Sequence, residues 1–324
     1  MTVGARIGIA AVVLIVLVVT ALAGYIYKRP LSVYAWFNRR LLKDAGLVEL
    51  TAASSIGPQT YWTGGNGPTL VLLHGAGDSA GTWARVADRL GRRYRLVLPD
   101  LAGHGTSASP AGPLSVGQIL SGLEAVMNQA PRDPAIIVGN SLGAWVALLY
   151  ARAHPERVGR LVLVNGGAIK GDRPDLSLMP KSRAEAAALM TQLRDASADP
   201  IPGYVLDDVV RESNTGPIAR LAETAAQMDQ YVLDGRLNEI ITPVDLIWGE
   251  SDKLFPVGYA RRMMAGLRAS RLTTLPTCGH VPHQECPSRF EAALADVLQL
   301  PAPSGPADGS APARTAPAPA SGRR

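Results

Sequence analysis

The sequence predicts an α/β fold: a mostly parallel central sheet with helices on both faces and a helical cap inserted late in the chain. Three observations carry this. Short apolar β-runs alternate with helical segments from Thr69 to Val164 and again from Val244 to Leu298, which specifies parallel strands buried on both faces and joined by right-handed crossovers. Residues 170–236 break that alternation with helix-like pieces separated by Pro180, Pro200, Pro202 and Pro217, as an insertion over a site does. Finally, the apolar run Ala135–Val138 passes through Gly139-Asn140-Ser141-Leu142-Gly143 into an apolar helix ending near Ala153. That is the strand–turn–helix setting in which G-x-S-x-G presents a serine.

The chain has 324 residues, enough for one large domain with a sizeable core, flanked here by two non-globular ends. Its net charge is +5, but Lys and Arg are scattered and cluster mainly beside the N-terminal apolar stretch, which points to a membrane surface and not to nucleic acid. Cys278 and Cys286 lie eight positions apart with no second cluster to complete a metal site. Because both flank a candidate catalytic loop, reduced bystander thiols are expected rather than a structural bridge, and they leave the redox compartment open.

Taken in order, residues 1–29 are read as a membrane anchor. Ile7 to Tyr27 carry no charged residue, and as a helix this run is about 30 Å long, the hydrocarbon thickness of a bilayer. The other reading is a cleaved signal peptide, with Arg6 as its charged region and Ala21-Leu22-Ala23 as the cleavage site. The anchor is preferred because the apolar run continues past that site, and because Tyr25, Tyr27, Tyr34 and Trp36 suit an interfacial belt. Lys28, Arg29, Arg39, Arg40 and Lys43 follow the segment, against Arg6 and the α-amino group before it. The positive-inside rule then puts the catalytic domain in the cytoplasm; a cleaved signal peptide would make it secreted or periplasmic.

Residues 30–46 form a basic amphipathic connector whose Leu31, Tyr34, Trp36, Phe37, Leu41 and Leu42 suit a membrane face; a simple connecting helix fits equally well. The first part of the core, residues 47–169, opens with a hairpin of Leu47–Leu50 and Thr60–Trp62 turned at Gly57-Pro58. It continues with a strand at Thr69–Leu73, a helix at Ala80–Leu90, a strand at Tyr94–Leu98, a helix at Val116–Gln129, the serine turn, and a strand at Leu161–Val164. The cap, residues 170–236, holds helical pieces at Arg183–Asp195 and Ile218–Leu233. The second part of the core, residues 237–299, places a strand at Val244–Trp248, a helix at Val257–Leu267, a strand at Leu272–Leu275 and a helix at Ser288–Leu298. In residues 300–324 Pro, Ala, Gly and Ser dominate, and this tail is expected to be disordered.

Ligands of an open parallel sheet sit at the carboxyl ends of its strands, and the polar residues that stand out fall there. Past Trp248 come Gly249-Glu250-Ser251-Asp252, and past Leu275 come Pro276-Thr277-Cys278-Gly279-His280. A serine hydroxyl is a poor nucleophile and needs a base beside it. His280 is expected to take the Ser141 proton and return it to the leaving group, with Asp252 holding the imidazole in the right tautomer. The oxyanion is expected at the backbone N–H groups of Leu142, where a helix begins, and Ala76, in His74-Gly75-Ala76-Gly77. His74 then supports that loop. His283 competes for the role of base, but the Gly-His step directly after a strand favours His280. Glu250 and Asp100 compete for the acid, but the G-x-x-D spacing favours Asp252. His104 lies in a Gly-rich turn and His154 at a helix end, and Asn165 is not ionisable. No G-x-x-x-x-G-K-[ST] or G-x-G-x-x-G follows a strand, so nothing points to a nucleotide, and the proposed chemistry implies no metal or cofactor.

From about Leu47 to Leu298 the chain resembles the α/β-hydrolase superfamily. The resemblance rests on H-G-A-G (74–77), P-D-L-A-G-H-G-T-S (99–107), G-N-S-L-G (139–143), G-E-S-D-K-L-F-P (249–256) and C-G-H-V-P-H-Q-E-C-P (278–287). It implies Ser141, Asp252 and His280 as the triad and Leu142 and Ala76 as the oxyanion hole. Ala144 departs from the pattern, since many relatives have a third Gly there. The apolar N-terminus and Ala45-Gly46-Leu47 look similar to the membrane-anchored lipase and monoacylglycerol lipase branch. The implied function is a serine esterase or lipase acting on small-molecule or lipid esters, acylglycerols among them. Carbon–carbon bond hydrolases, perhydrolases and acyltransferases keep the same serine, and a non-catalytic binding protein keeps the same fold.

Overall fold

The computed structural model describes residues 3–171, 177–299 and 314–315. It begins with α1 (Val3–Lys28), whose stretch Ala11–Lys28 is unburied and long and apolar enough to cross a membrane. One residue later α2 (Pro30–Asp44) starts on Pro30, which lacks an N–H where a helix has no partner to offer one. The rest of the chain gives β1 (Val48–Ala52), β2 (Gln59–Gly64), β3 (Thr69–Leu73), α3 (Ala84–Gly91), β4 (Arg95–Pro99), α4 (Val116–Met127), β5 (Ala135–Asn140), α5 (Leu142–Ala153) and β6 (Val158–Val164). The cap contributes α6 (Arg183–Leu193), α7 (Gly203–Thr215), α8 (Pro217–Ala222) and α9 (Ala225–Met228), and the core resumes with β7 (Val244–Gly249), α10 (Val257–Gly266), β8 (Ser270–Leu275), α11 (Pro282–Glu285) and α12 (Pro287–Gln299).

The strands lie in the order β1-β2-β4-β3-β5-β6-β7-β8. β1 and β2 form an antiparallel hairpin that continues onto β4, and every pairing from β4 through β8 is parallel. The chain runs outward from β3 to β4 and then crosses back to β5 on the other side of β3. That reversal opens a crevice at the carboxyl ends of β3 and β5. Strands covered on both faces need apolar residues at every position, and all five residues of β3 are buried. Val71 and Leu73 face one layer with Leu123 of α4, Val146 of α5 and Ala260 of α10. Leu70 and Leu72 face the other, with Ala87 of α3 and Phe290 of α12.

Three expectations need revision. The connector is more than a tether: Leu42 of α2 lies in the second core layer at 0% exposure, while Trp36 (67%) and Phe37 (51%) stay exposed. The helix read over Ile218–Leu233 is broken into α8, α9 and a 3-10 turn around Thr224, whose hydroxyl lies 2.7 Å from Leu114 O and 3.0 Å from Leu221 O, a side-chain bond that competes with the helix ladder. The cap also holds α7, which its Val, Asp and Asn residues conceal from a propensity reading. Contacts hold that helix: Asp208 is buried, accepts the Leu31 N–H of α2 at 3.0 Å and pairs with Arg211. The tail lies outside the described residues apart from Arg314–Thr315, which pair with Thr273 and Thr274 as a short ninth strand.

Candidate active site

Ser141 stands between β5 and α5 at φ 53° and ψ −116°, a backbone state that a residue with a Cβ keeps only where its surroundings enforce it. The glycines show why the turn closes so tightly. A Cβ on Gly139 would lie 2.3 Å from Gly143 O, and one on Gly143 would lie 2.4 Å from Leu73 O. A third close approach was not read from the sequence: a Cβ on Gly166, after β6, would lie 2.4 Å from the Ser141 Cα. Ser141 N–H donates to Val164 O at 3.0 Å. Its neighbour Asn140 donates through Nδ2 to Val164 O at 3.0 Å and to His280 O at 2.9 Å, so the serine turn itself holds the loop that carries the histidine.

Asp252 and His280 meet on the loops after β7 and β8. β7 and β8 pair up to Gly249 and Leu275, and a Cβ on Gly249 would lie 2.2 Å from Gly279 O, so the two loops run together backbone to backbone. The Asp252 Oδ2 accepts from His280 Nδ1 at 2.8 Å and from Asn165 Nδ2 at 2.9 Å. Its Oδ1 accepts the N–H groups of Leu254 and Phe255 at 2.8 and 3.1 Å. These four donors satisfy both oxygens of a carboxyl group at 2% exposure, where an unpaired polar atom would be costly. Asn165 is itself at φ 45° and accepts Gly249 N–H through Oδ1 at 2.9 Å. Sequence reasoning saw in Asn165 only a residue that cannot ionise; that a neutral amide is a donor to the acid was the available signal.

The loop after β3 approaches from the other side, where a Cβ on Gly75 would be 3.3 Å from the Ser141 Cβ. Ala76 follows in that loop, and Leu142 opens the twelve-residue α5, whose first N–H groups have no partner within the helix. The buried His74 ring bridges two loops: Nδ1 lies 2.7 Å from Gly75 O, and Nε2 accepts Leu101 N–H at 2.9 Å.

The rivals lie elsewhere. His283 is fully buried, stacked on Trp83 at 3.9 Å with Nε2 3.0 Å from Thr82 Oγ1; burial, then the charge of His280, push it down to about 3. His104 is pushed to about 3 as well, by burial and then by His74. His154 lies 3.3 Å from Glu124. Asp100 accepts the N–H groups of Ala80 and Thr106 at 2.8 and 2.9 Å, and Glu250 is exposed. The cysteines correct the sequence reading: Cys278 and Cys286 form a disulfide, because α11 turns the chain back until their Cα atoms lie 6.0 Å apart, a bridging distance. Among the described residues no group of His, Cys, Asp and Glu is arranged to hold a metal ion.

A serine on a strained turn above a parallel sheet, with a buried carboxylate–imidazole pair alongside, defines a class of hydrolase folds. The chain belongs to the alpha/beta hydrolase family, whose profile matches residues 70–293. It is 31% identical to a 2-hydroxy-6-oxononadienedioate/2-hydroxy-6-oxononatrienedioate hydrolase of Paraburkholderia phymatum, over 73% of this chain and 88% of that one. It is 32% identical to a pimeloyl-[acyl-carrier protein] methyl ester esterase of Nitrosomonas europaea, over 70% of this chain and 94% of that one. Among solved structures it is similar to a membrane phospholipase A described as a bacterial virulence factor, with a TM-score of 0.69, 25% identity, and coverage of 90% of this chain and 99% of that one.

Proposed function

We propose that this hydrolase cleaves carboxylic esters through an acyl-enzyme on Ser141, and that it does so as a membrane-anchored esterase or lipase. The observation that carries the reading is the buried Asp252–His280 pair, whose backbone is bonded to Asn140 directly beside Ser141. In this mechanism His280 takes the hydroxyl proton as Ser141 attacks the acyl carbon, and Asp252 stabilises the resulting imidazolium. The oxyanion is held by Leu142 and Ala76 N–H. Protonation by His280 releases the alcohol; water activated by the same ring then frees the acid. The apolar α1 supplies the anchor, and acylglycerols or other membrane esters are the substrates that partition to it. The similarity to a membrane phospholipase over more than the globular core supports this choice.

A second reading, carbon–carbon bond hydrolysis by the same groups, is favoured by the Paraburkholderia relative. The test is turnover of p-nitrophenyl esters from short to long acyl chains by the full chain in detergent, beside Ser141→Ala and beside a 2-hydroxy-6-oxo-dienoate. Ester turnover that rises with chain length and disappears in Ser141→Ala supports the proposal. Cleavage of the dienoate alone replaces it with the second reading, and ester turnover surviving in Ser141→Ala sinks both.

A further inference from the structure

His280 lies between β8 and α12, where the only regular structure is the four residues of α11. So short a turn cannot hold an imidazole in place by itself. The stretch is instead closed on itself, by the disulfide immediately before Gly279 and immediately after Glu285. Within that ring, Glu285 accepts Gly279 N–H at 2.5 Å with one oxygen and the N–H of Asp195, in the cap, at 2.7 Å with the other. His280 donates its own N–H to Leu193 O of α6 at 2.7 Å. At the head of the ring, Thr277 sits at φ 52°, a state a β-branched residue keeps only under constraint; Arg289 bonds to its hydroxyl and to Pro276 O. Both sulfurs are built into the core layer of Trp83 and Phe290, with Cys278 at 0% and Cys286 at 7% exposure.

We infer that the Cys278–Cys286 disulfide is a positioning element for His280, and that the catalytic domain accordingly works in an oxidising compartment outside the cytoplasm. The bridge fixes both ends of the segment that carries His280, so losing it lets the ring drift from Asp252 and Ser141 while Ser141 keeps its own bond to Val164 O. Structural disulfides persist outside the cytoplasm, whereas cytosolic thiol pools keep such pairs reduced. Closing the bridge joins Sγ to Sγ with loss of one proton and one electron from each thiol, which a disulfide-donating oxidoreductase accepts by thiol–disulfide exchange. This reverses the orientation argued from flanking charge. That rule weighs short loops, while folded domains translocate largely regardless of charge. The α2 cations belong to the domain: Leu42 is in its core, and Arg39 pairs with Glu49 and faces Asp100 at 3.6 Å.

The inference rests on the serine-hydrolase reading only for its kinetic readout, and two measurements test it. In the first, bacteria expressing the full chain are quenched in acid and alkylated with maleimide–polyethylene glycol, with and without prior reduction. A mobility shift only after reduction is expected, and free thiols in quenched cells overturn the compartment. In the second, p-nitrophenyl ester kinetics are taken on the detergent-solubilised chain when oxidised, after phosphine reduction verified by alkylation, and after re-oxidation, with Cys278→Ser/Cys286→Ser alongside. Displacing the base by about an ångström should lower kcat by about ten- to a hundredfold with KM within about twofold, and re-oxidation should restore kcat. A reduced chain that keeps its kcat, or that changes only in KM, overturns the positioning role whether or not the double variant folds. An oxidised wild-type chain without turnover counts against the serine-hydrolase reading, and the thiol measurement then decides the inference through its compartment.

Discussion

Replacing Asn165 with Ala should loosen the Asp252–His280 pair without touching either member of it. Three contributions follow from the structure. Asp252 loses a donor at 2.9 Å, and a hydrogen bond to a charged group contributes about 1.5–3 kcal/mol. The buried Gly249 N–H loses its acceptor at 2.9 Å, which costs about 1–3 kcal/mol for an orphaned group. Alanine must also adopt φ 45°, a left-handed state that costs about 1–2 kcal/mol and that Asn tolerates. Because the three share one network they do not simply add, and the low ends give about 3.5 kcal/mol. Asn165→Gly removes the conformational part and should recover about 1 kcal/mol of it. The assay is denaturant unfolding of the full chain in detergent, with ester kcat on the same samples, where a looser Asp252 should lower kcat by about tenfold or more. A loss below about 1 kcal/mol with kcat unchanged would refute the claim that Asn165 supports the acid.

Other expectations follow from single features. Ser141→Gly should abolish ester turnover yet raise stability by about 1 kcal/mol, since glycine relieves the φ of 53° at a small entropic cost; thermal melting checks it. Asp245 is 0% exposed and pairs with Arg160 at 2.7 Å and Arg271 at 2.6 Å, so Asp245→Ala removes the buried carboxylate that bridges the two guanidinium groups and should cost about 3–5 kcal/mol by denaturant unfolding. His283 and His104 are depressed from 6.5 to about 3 in the fold, so below about 6.5 the unfolded chain binds the extra protons and stability falls as pH drops toward about 3. Asp78, raised by burial, opposes this because protonation favours its folded form. Unfolding free energy measured across that window should flatten by about one proton in His283→Gln.

The parallel core was legible because each buried strand writes a continuous apolar run, and because Gly139 and Gly143 are forced by a turn whose geometry is local. The residues that complete the site were not, since their partners lie far away in sequence. Asn140 reaches His280, Asn165 reaches Asp252, and Glu285 reaches Asp195; an amide or a carboxylate in a list of residues does not announce what it will face. The disulfide was misread for a related reason. Spacing alone does not say whether α11 turns the chain back, and two thiols beside a catalytic loop are as compatible with chemistry as with a bridge. In the cap, helix breaks come from tertiary bonds such as that of Thr224 to Leu114, which periodicity does not encode.

The cap's attachment also sets what can be exchanged between proteins of this fold. Leu193 O takes the N–H of His280, Gln192 O takes that of Lys253 at 2.9 Å, and Asp195 bonds to Ser251, so one end of the insertion is stitched to both loops that carry Asp252 and His280. A chimera cut at the ends of β6 and β7 would sever those stitches while appearing to respect the architecture. The transferable module is therefore discontinuous: a new cap must travel with residues 249–256 and 278–287, and specificity redesigned in the insertion alone would be bought with disorder in the machinery beneath it.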